Sequence, residues 1–203
     1  MSRLYSYVVV RDYGFAPNPF SGSCTLATCK PKIRAKASVG DWVIGVGAVS
    51  TGRSGNLIYA MKVSEVLTFD DYWSDPRFLV KRPVLNGSLK RAYGDNIYHR
   101  KGGFWIQEDS HHSLVGGRVN MENQKRDVSA DRVLIADEFY YFGDHDVPVP
   151  AVARKQGRHD LCRPGRGHRV NIPNTLRDSF ITWLTGNYTP GIHGQPAQWK
   201  GAF

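Results

Sequence analysis

Between residues 94 and 113 the chain reads GDNIYHRKGGFWIQEDSHHS. Tyr98, His99, Trp105, Gln107, His111, His112 and Ser113 fall within it, residue types that ligate metals, move protons, attack carbon or stack on flat rings. A metal site needs ligands converging at fixed spacing, and the adjacent His111 and His112 would point to opposite sides of an extended strand. With neither an H-x-x-x-H helix spacing nor a paired C-x-x-C frame, no metal is expected. Ser110 and Ser113 lie near the histidines, and Cys24 and Cys29 are candidate thiolates. No G-x-S-x-G elbow or other nucleophile-presenting motif accompanies any of them. GVGAVSTG, at 45–52, lacks the lysine of a phosphate loop, and the acids Asp137, Glu138, Asp144 and Asp146 sit beside turns, where carboxylates are commonly solvated. A flat heteroaromatic ligand fits best: Tyr98, Phe104 and Trp105 offer ring faces, while His99, Gln107, Asn120 and Asn123 offer donors and acceptors to a ring edge. The same residues also suit a packed sheet in which Tyr98 and Trp105 are core and Gln107 satisfies a loop, and both readings stand at this point.

The elements that must carry these residues belong to a chain of 203 residues, 41% of them hydrophobic, which suits one domain with a sizeable core or one domain plus an appendage. No run approaches the roughly eighteen apolar residues of a membrane span, and MSRLYSYVVV lacks the apolar stretch and cleavage site of a signal peptide, so a cytoplasmic protein is expected. Three cysteines, Cys24, Cys29 and Cys162, make no disulfide framework. The net charge of +9 is uneven: residues 151–203 hold eight Lys/Arg against two Asp/Glu. Arg154, Lys155, Arg158, Arg163, Arg166 and Arg169 surround one acid, Asp160, in a Gly- and Pro-broken stretch. Such a cluster is either a solvated loop or a phosphate-contacting segment.

LYSYVVV (4–10), DWVIGVGAV (41–49) and NLIYAMKVSEVL (56–67) read as strands, the last two as an antiparallel hairpin across STGRSGN. FDDYWSDPRF reads as a short helix behind the N-cap Thr68, with acids in its first turn. Residues 97–99, 104–107, 132–136 and 139–143 add strand candidates. In NTLRDSFITWLTG, Leu176, Phe180, Trp183 and Leu184 recur at i, i+4, i+7 and i+8, an amphipathic helix over 174–185 with Asn174 as N-cap.

VVRDYGFAPNPFSGSCTLATCKPKIRAKASVGDWVIGVGA (9–48), LIYAMKVSEVLTFDDYWSDPRF (57–78), GDNIYH, GFWIQEDSHHS and VLIADEFYYFG resemble the blocks of the nucleotide modification associated domain 2 family of bacteria and their viruses. More distantly, VGDWVIGVGA with LIYAMKVSEVL is similar to the PUA-like superfamily of EVE, YTH and ASCH domains. The resemblance implies an α+β, mainly β fold, a PUA/EVE-like partly open β-barrel over residues 1–150 with flanking helices; residues 151–203, beyond the matching blocks, are expected to pack a basic segment and the C-terminal amphipathic helix on the same domain. It further implies a role in recognising or handling modified nucleotides, including in bacterial defence, with a nucleotide or nucleic acid as partner and no resident cofactor. The matching ligand-binding positions are Asp12, Asn18, Phe20, Lys30, Arg34, Trp42, Tyr98, His99, Trp105, Gln107, His111 and Ser113. Three functions remain open: a module reading a modified base with Arg154, Lys155, Arg158, Arg163, Arg166 and Arg169 on phosphates; an enzyme of base modification using His99 or His111 in proton transfer; or a receptor for a free nucleotide.

Overall fold

The computed structural model describes residues 2–162, 165 and 167–200, so Arg163 and Arg166 of the basic segment lie outside the described residues. In chain order the elements are β1 (Leu4–Val9), β2 (Cys24–Leu26), α1 (Pro31–Arg34), β3 (Trp42–Gly47), β4 (Asn56–Lys62), β5 (Glu65–Leu67), α2 (Phe69–Ser74) and α3 (Leu89–Ala92). There follow β6 (Tyr98–Lys101), β7 (Phe104–Gln107), α4 (Met121–Asp127), β8 (Val133–Ala136), β9 (Glu138–Tyr141), β10 (Val147–Pro148) and α5 (Ala151–Arg154). The chain closes with β11 (Lys155–Gln156), β12 (His159–Asp160), β13 (His168–Arg169), α6 (Asn174–Asn187) and β14 (Gly191–Ile192). They fall into two compact units.

The first unit comprises residues 1–12, 37–63 and 137–203. Its sheet runs β13-β1-β3-β4-β9-β14, with β10 added to β4. The expected β3–β4 hairpin forms, antiparallel from Trp42↔Lys62 onward, with a register shift between Gly45 and Val46. Gly45 has a physical reason to lack a side chain, because a Cβ there would collide with the Tyr59 ring. α6 covers the sheet with Leu176, Phe180 and Leu184, all buried, while Trp183 packs only partly. The apolar period was thus read correctly, but the N-cap is Pro173 rather than Asn174, and the helix runs on to Asn187.

Residues 13–36 and 64–136 form the second unit. Three short strands pair as β2-β8-β5, and β6 and β7 make a separate hairpin. Phe15, Phe69, Tyr72, Phe78, Tyr98, Val133 and Ile135 build its core. Thr68 caps α2 as expected, its hydroxyl accepting from the Asp71 N–H at 3.1 Å. A buried lysine anchors the loop before β2: Lys81 Nζ donates to the Asn18 and Ser23 carbonyls and to Asn18 Oδ1, which leaves none of its protons unpaired.

The protein is therefore mixed α/β with most strands in open sheets and few helices. Among the described residues the strand order closes no barrel, and the partly open PUA-like barrel expected from the sequence is not confirmed.

Candidate functional site

The second unit's three-residue strand β2 ends at Leu26, and after four intervening residues the chain enters α1 with Pro31 in its first turn. Between them Cys29 and Lys30 adopt φ of 58° and 42°, left-handed values that L side chains rarely take. A sharp strand-to-helix turn of this kind lifts a side chain clear of the sheet, the geometry used to present nucleophiles. Cys29 is half-buried, whereas Cys24, inside β2, is fully buried.

Two residues pin the turn. Arg34, wholly buried, donates through Nε to the Cys29 carbonyl at 2.9 Å, through Nη1 to the Ala130 and Arg132 carbonyls at 2.6 and 2.5 Å, and through Nη2 to the Asp127 carbonyl. Burial lowers its pKa to about 10, opposed by Asp127, so it stays cationic at neutral pH. Asp127 Oδ1 accepts the Cys29 N–H at 3.0 Å.

Asp127 also reaches Cys29 through an imidazole. Its Oδ2 accepts from His112 Nδ1 at 2.7 Å, and His112 Nε2 lies 3.7 Å from Cys29 Sγ. Cys29, His112 and Asp127 thus follow the order of a nucleophile, a proton carrier and an orienting carboxylate. Burial pulls the His112 imidazole down, but its hydrogen bonds with Asp127 and Cys29, together with their charges, outweigh burial and raise it from 6.5 to about 9. Burial pushes the Asp127 carboxyl up, yet the bond and charge of His112, then Arg126 and Arg34, hold it below the ordinary 3.8. At neutral pH the imidazolium and the carboxylate are both charged.

The scaffold around His112 is fully engaged. The Tyr98 hydroxyl donates to Asp127 Oδ2 at 3.1 Å, and burial, then Asp127, raises that phenol far above 10. Gln107 Nε2 donates to Tyr98 Oη and to the His112 carbonyl, and its Oε1 accepts from the Asn120 N–H. Asn120 caps α4 by accepting from the Asn123 N–H, and Asn123 Nδ2 donates to the His112 carbonyl at 3.0 Å. Sequence reasoning placed these two asparagines at a ligand's edge; here they start the helix that delivers Asp127.

Aromatic rings adjoin His112. Tyr13 and Tyr93 stack with centroids 5.2 Å apart, and His111 sits 4.5 Å from Tyr13 and 5.1 Å from Tyr93. Phe15 turns its edge to both histidines, 5.3 Å from His111 and 4.7 Å from His112. Tyr13 and Tyr93 are half-exposed and His111 exposed.

The remaining expected ligand residues are placed as follows. Asn18 is buried and bonds Tyr93, Phe20 and Lys81. Phe20 is buried, with Lys90 above its ring. Lys30, beside Cys29, has its pKa lowered by burial. His99 stacks on Trp73 at 4.2 Å and pairs with Glu108 at 2.8 Å. Trp105 carries Arg100 over its ring at 3.9 Å. Ser113 Oγ holds a turn between the Glu108 carbonyl and the Ser110 N–H. Asp12 and Trp42 belong to the first unit, where Asp12 accepts from the Tyr141 hydroxyl at 2.6 Å and Trp42 stacks on Tyr140 at 6.3 Å. Cys29, His112 and Asp127 were all missing from the expected set, because fifteen residues separate the last two and eighty-three separate His112 from Cys29.

In the first unit, β11 and β12 pair so that Arg154 and Lys155 both face Asp160, at 3.2 and 3.9 Å. A cleft of about 370 Å³ opens beside them, lined in part by Arg158, His159, His168, Arg169 and Asn171. No cluster of His, Cys, Asp and Glu suited to a metal occurs among the described residues, and no helix there is long and apolar enough to cross a membrane.

The model of nucleotide modification associated domain 2 matches residues 1–203, the basic segment included. The chain belongs to that family. Membership links this nucleotide modification associated domain to nucleotide or nucleic-acid chemistry. Neither curated proteins nor solved structures give a match.

Proposed function

We propose that the protein takes up a nucleobase, in a nucleotide or a strand, against the rings of Tyr13, Tyr93 and His111 and acts on it through Cys29. The observation that carries this reading is the Cys29 Sγ to His112 Nε2 approach of 3.7 Å on a left-handed strand-to-helix turn. Family membership supports a nucleotide ligand, and the rings of Tyr13 and Tyr93 beside His111 suit its flat face.

In this scheme Cys29 attacks as the thiolate, the nucleophilic form of a cysteine. His112 holds the proton that the departing or protonated atom of the substrate needs, and Asp127 keeps that proton on the sulfur-facing Nε2 by accepting from Nδ1. Tyr98 and Arg34 hold the carboxylate and the turn in register. Arg158 and Arg169, in the cleft of the first unit, are proposed to contact phosphates of the same class of ligand.

Incubation with mononucleotides and single-stranded oligonucleotides carrying ordinary and modified bases, read by mass spectrometry, tests the proposal. A chemically changed base or a covalent adduct is expected with the parent and not with Cys29→Ala. Equal turnover by the folded Cys29→Ala protein would contradict it; selective binding of a modified base, with no turnover and no dependence on Cys29, would favour a reader module.

A further inference from the structure

We infer that the base presented to Cys29 is a pyrimidine and that the sulfur adds to its C6, an inference that rests on the reading of Cys29 as a nucleophile. A thiolate can attack acyl carbon or an electron-poor ring carbon, and the two ask for different surroundings. Acyl transfer builds charge on an oxygen, and fixed hydrogen-bond donors must await it. Here the donors that tie Cys29 and His112 in place are spent within the scaffold. The Cys29 N–H is bonded to Asp127 Oδ1 at 3.0 Å. Gln107 spends its amide hydrogens on Tyr98 and the His112 carbonyl, and Asn123 also donates to that carbonyl.

Addition to a ring needs a thiolate, a surface to hold the ring flat, and one acid within reach of the adjacent carbon. The aromatic cluster at His112 fits the second need, and the imidazolium, 3.7 Å from the sulfur and protonated up to about pH 9, fits the third. Among nucleobases, pyrimidines carry an unfused C5=C6 double bond conjugated to the C4 carbonyl or imine, so C6 accepts a soft nucleophile. In purines the corresponding carbons are shared by two fused rings.

The step balances without an added reagent. The sulfur lone pair forms the Sγ–C6 bond, the C5=C6 π pair moves to C5, and C5 takes the proton from His112 Nε2. The product is a 5,6-dihydropyrimidine thioether facing a neutral imidazole. In reversal His112 takes back the proton it gave, or solvent takes the original hydrogen from the opposite face of C5, and the thiolate leaves; by the second route a pyrimidine with hydrogen at C5 exchanges that hydrogen with solvent. Purines have no such route at this site.

The test uses the whole protein in D₂O at neutral pD with UMP, dUMP, CMP, dCMP, AMP and GMP, and with a single-stranded oligonucleotide containing uracil and cytosine. Mass gain at C5 is read by mass spectrometry. At least one pyrimidine should gain one deuteron, with the mononucleotide and oligonucleotide arms identifying the source. Cys29→Ser should abolish the exchange, and His112→Gln should slow it about 10²-fold or more. Alkylation of Cys29 by iodoacetamide, with and without each nucleotide, is measured on the parent alongside and does not depend on any variant folding. No exchange in any pyrimidine, while nucleotides protect a reactive Cys29, overturns the C6 step and leaves the nucleophile standing. An unreactive and unprotected Cys29 overturns both, as does exchange undiminished in Cys29→Ser.

Discussion

Asp127→Asn keeps the shape of the orienting carboxylate and removes its charge. In the parent, Oδ1 accepts from the Cys29 N–H and Arg126 Nε at 3.0 and 3.2 Å, and Oδ2 from His112 Nδ1 and the Tyr98 hydroxyl at 2.7 and 3.1 Å. An amide must place its NH₂ against one of these pairs of donors. His112 then loses the largest of the influences that raise it, while burial, which lowers it, and the bond and charge of Cys29, which raise it, remain. A complete fall from about 9 to 6.5 would be worth roughly 3 kcal/mol of interaction with the charged imidazole, and that is the ceiling for the loss of Asp127. A raised histidine contributes stability that is complete below its unfolded value of 6.5 and is lost as pH rises through about 9. The depressed Asp127 contributes above the ordinary 3.8 and loses its contribution as pH falls through its lower folded value. The stability gap between parent and variant should therefore carry a pH-dependent part of up to roughly 3 kcal/mol near pH 5.5 and well under about 1 kcal/mol at pH 9.5. Urea unfolding at these two values, with NMR titration of the His112 ring, measures both quantities. A parent His112 titrating near 6.5, or a gap of equal size at both pH values, would refute the coupling.

Arg34→Met strands four backbone carbonyls that one guanidinium now satisfies, and should destabilise the protein by about 4 kcal/mol or more in denaturant unfolding. Unchanged stability would show that those carbonyls find other donors. His111→Ala, at an exposed ring, should weaken nucleotide binding by about 1–3 kcal/mol in calorimetry while leaving the melting temperature near the parent's. Equal affinity would remove His111 from the binding face. Arg158→Gln with Arg169→Gln should flatten the salt dependence of oligonucleotide binding, by up to about 0.7 per lost single-strand phosphate contact, and an unaltered slope would leave the cleft without a role in phosphate binding.

The parts of the fold legible in the sequence are those with a period or a cap. Leu176, Phe180 and Leu184 mark α6 because their spacing repeats over three turns, and Thr68 marks the start of α2 because its hydroxyl meets a free N–H. The β3–β4 hairpin was legible from its two apolar runs and the turn between them. β2 has three residues and α1 four, too few to show a period, yet they frame Cys29. Its left-handed backbone was invisible as well, since no glycine or asparagine marks the position. Proximity in sequence drew attention to 94–113, which holds His112, while the partners of His112 came from residues 29 and 127, which only tertiary folding brings to it.

The most direct measurement is the rate at which iodoacetamide alkylates each cysteine of the native protein near pH 7, followed by peptide mapping with and without pyrimidine nucleotides. Cys24 and Cys162 supply the internal standard, both buried and both pushed by burial to about 12. Cys29 should label alone, faster than a thiol in the urea-unfolded chain, more slowly in His112→Gln, and more slowly again when a nucleotide is bound. Labelling of Cys29 at or below the unfolded-chain rate, indifferent to His112 and to nucleotides, would contradict its role as the nucleophile of a base-binding site.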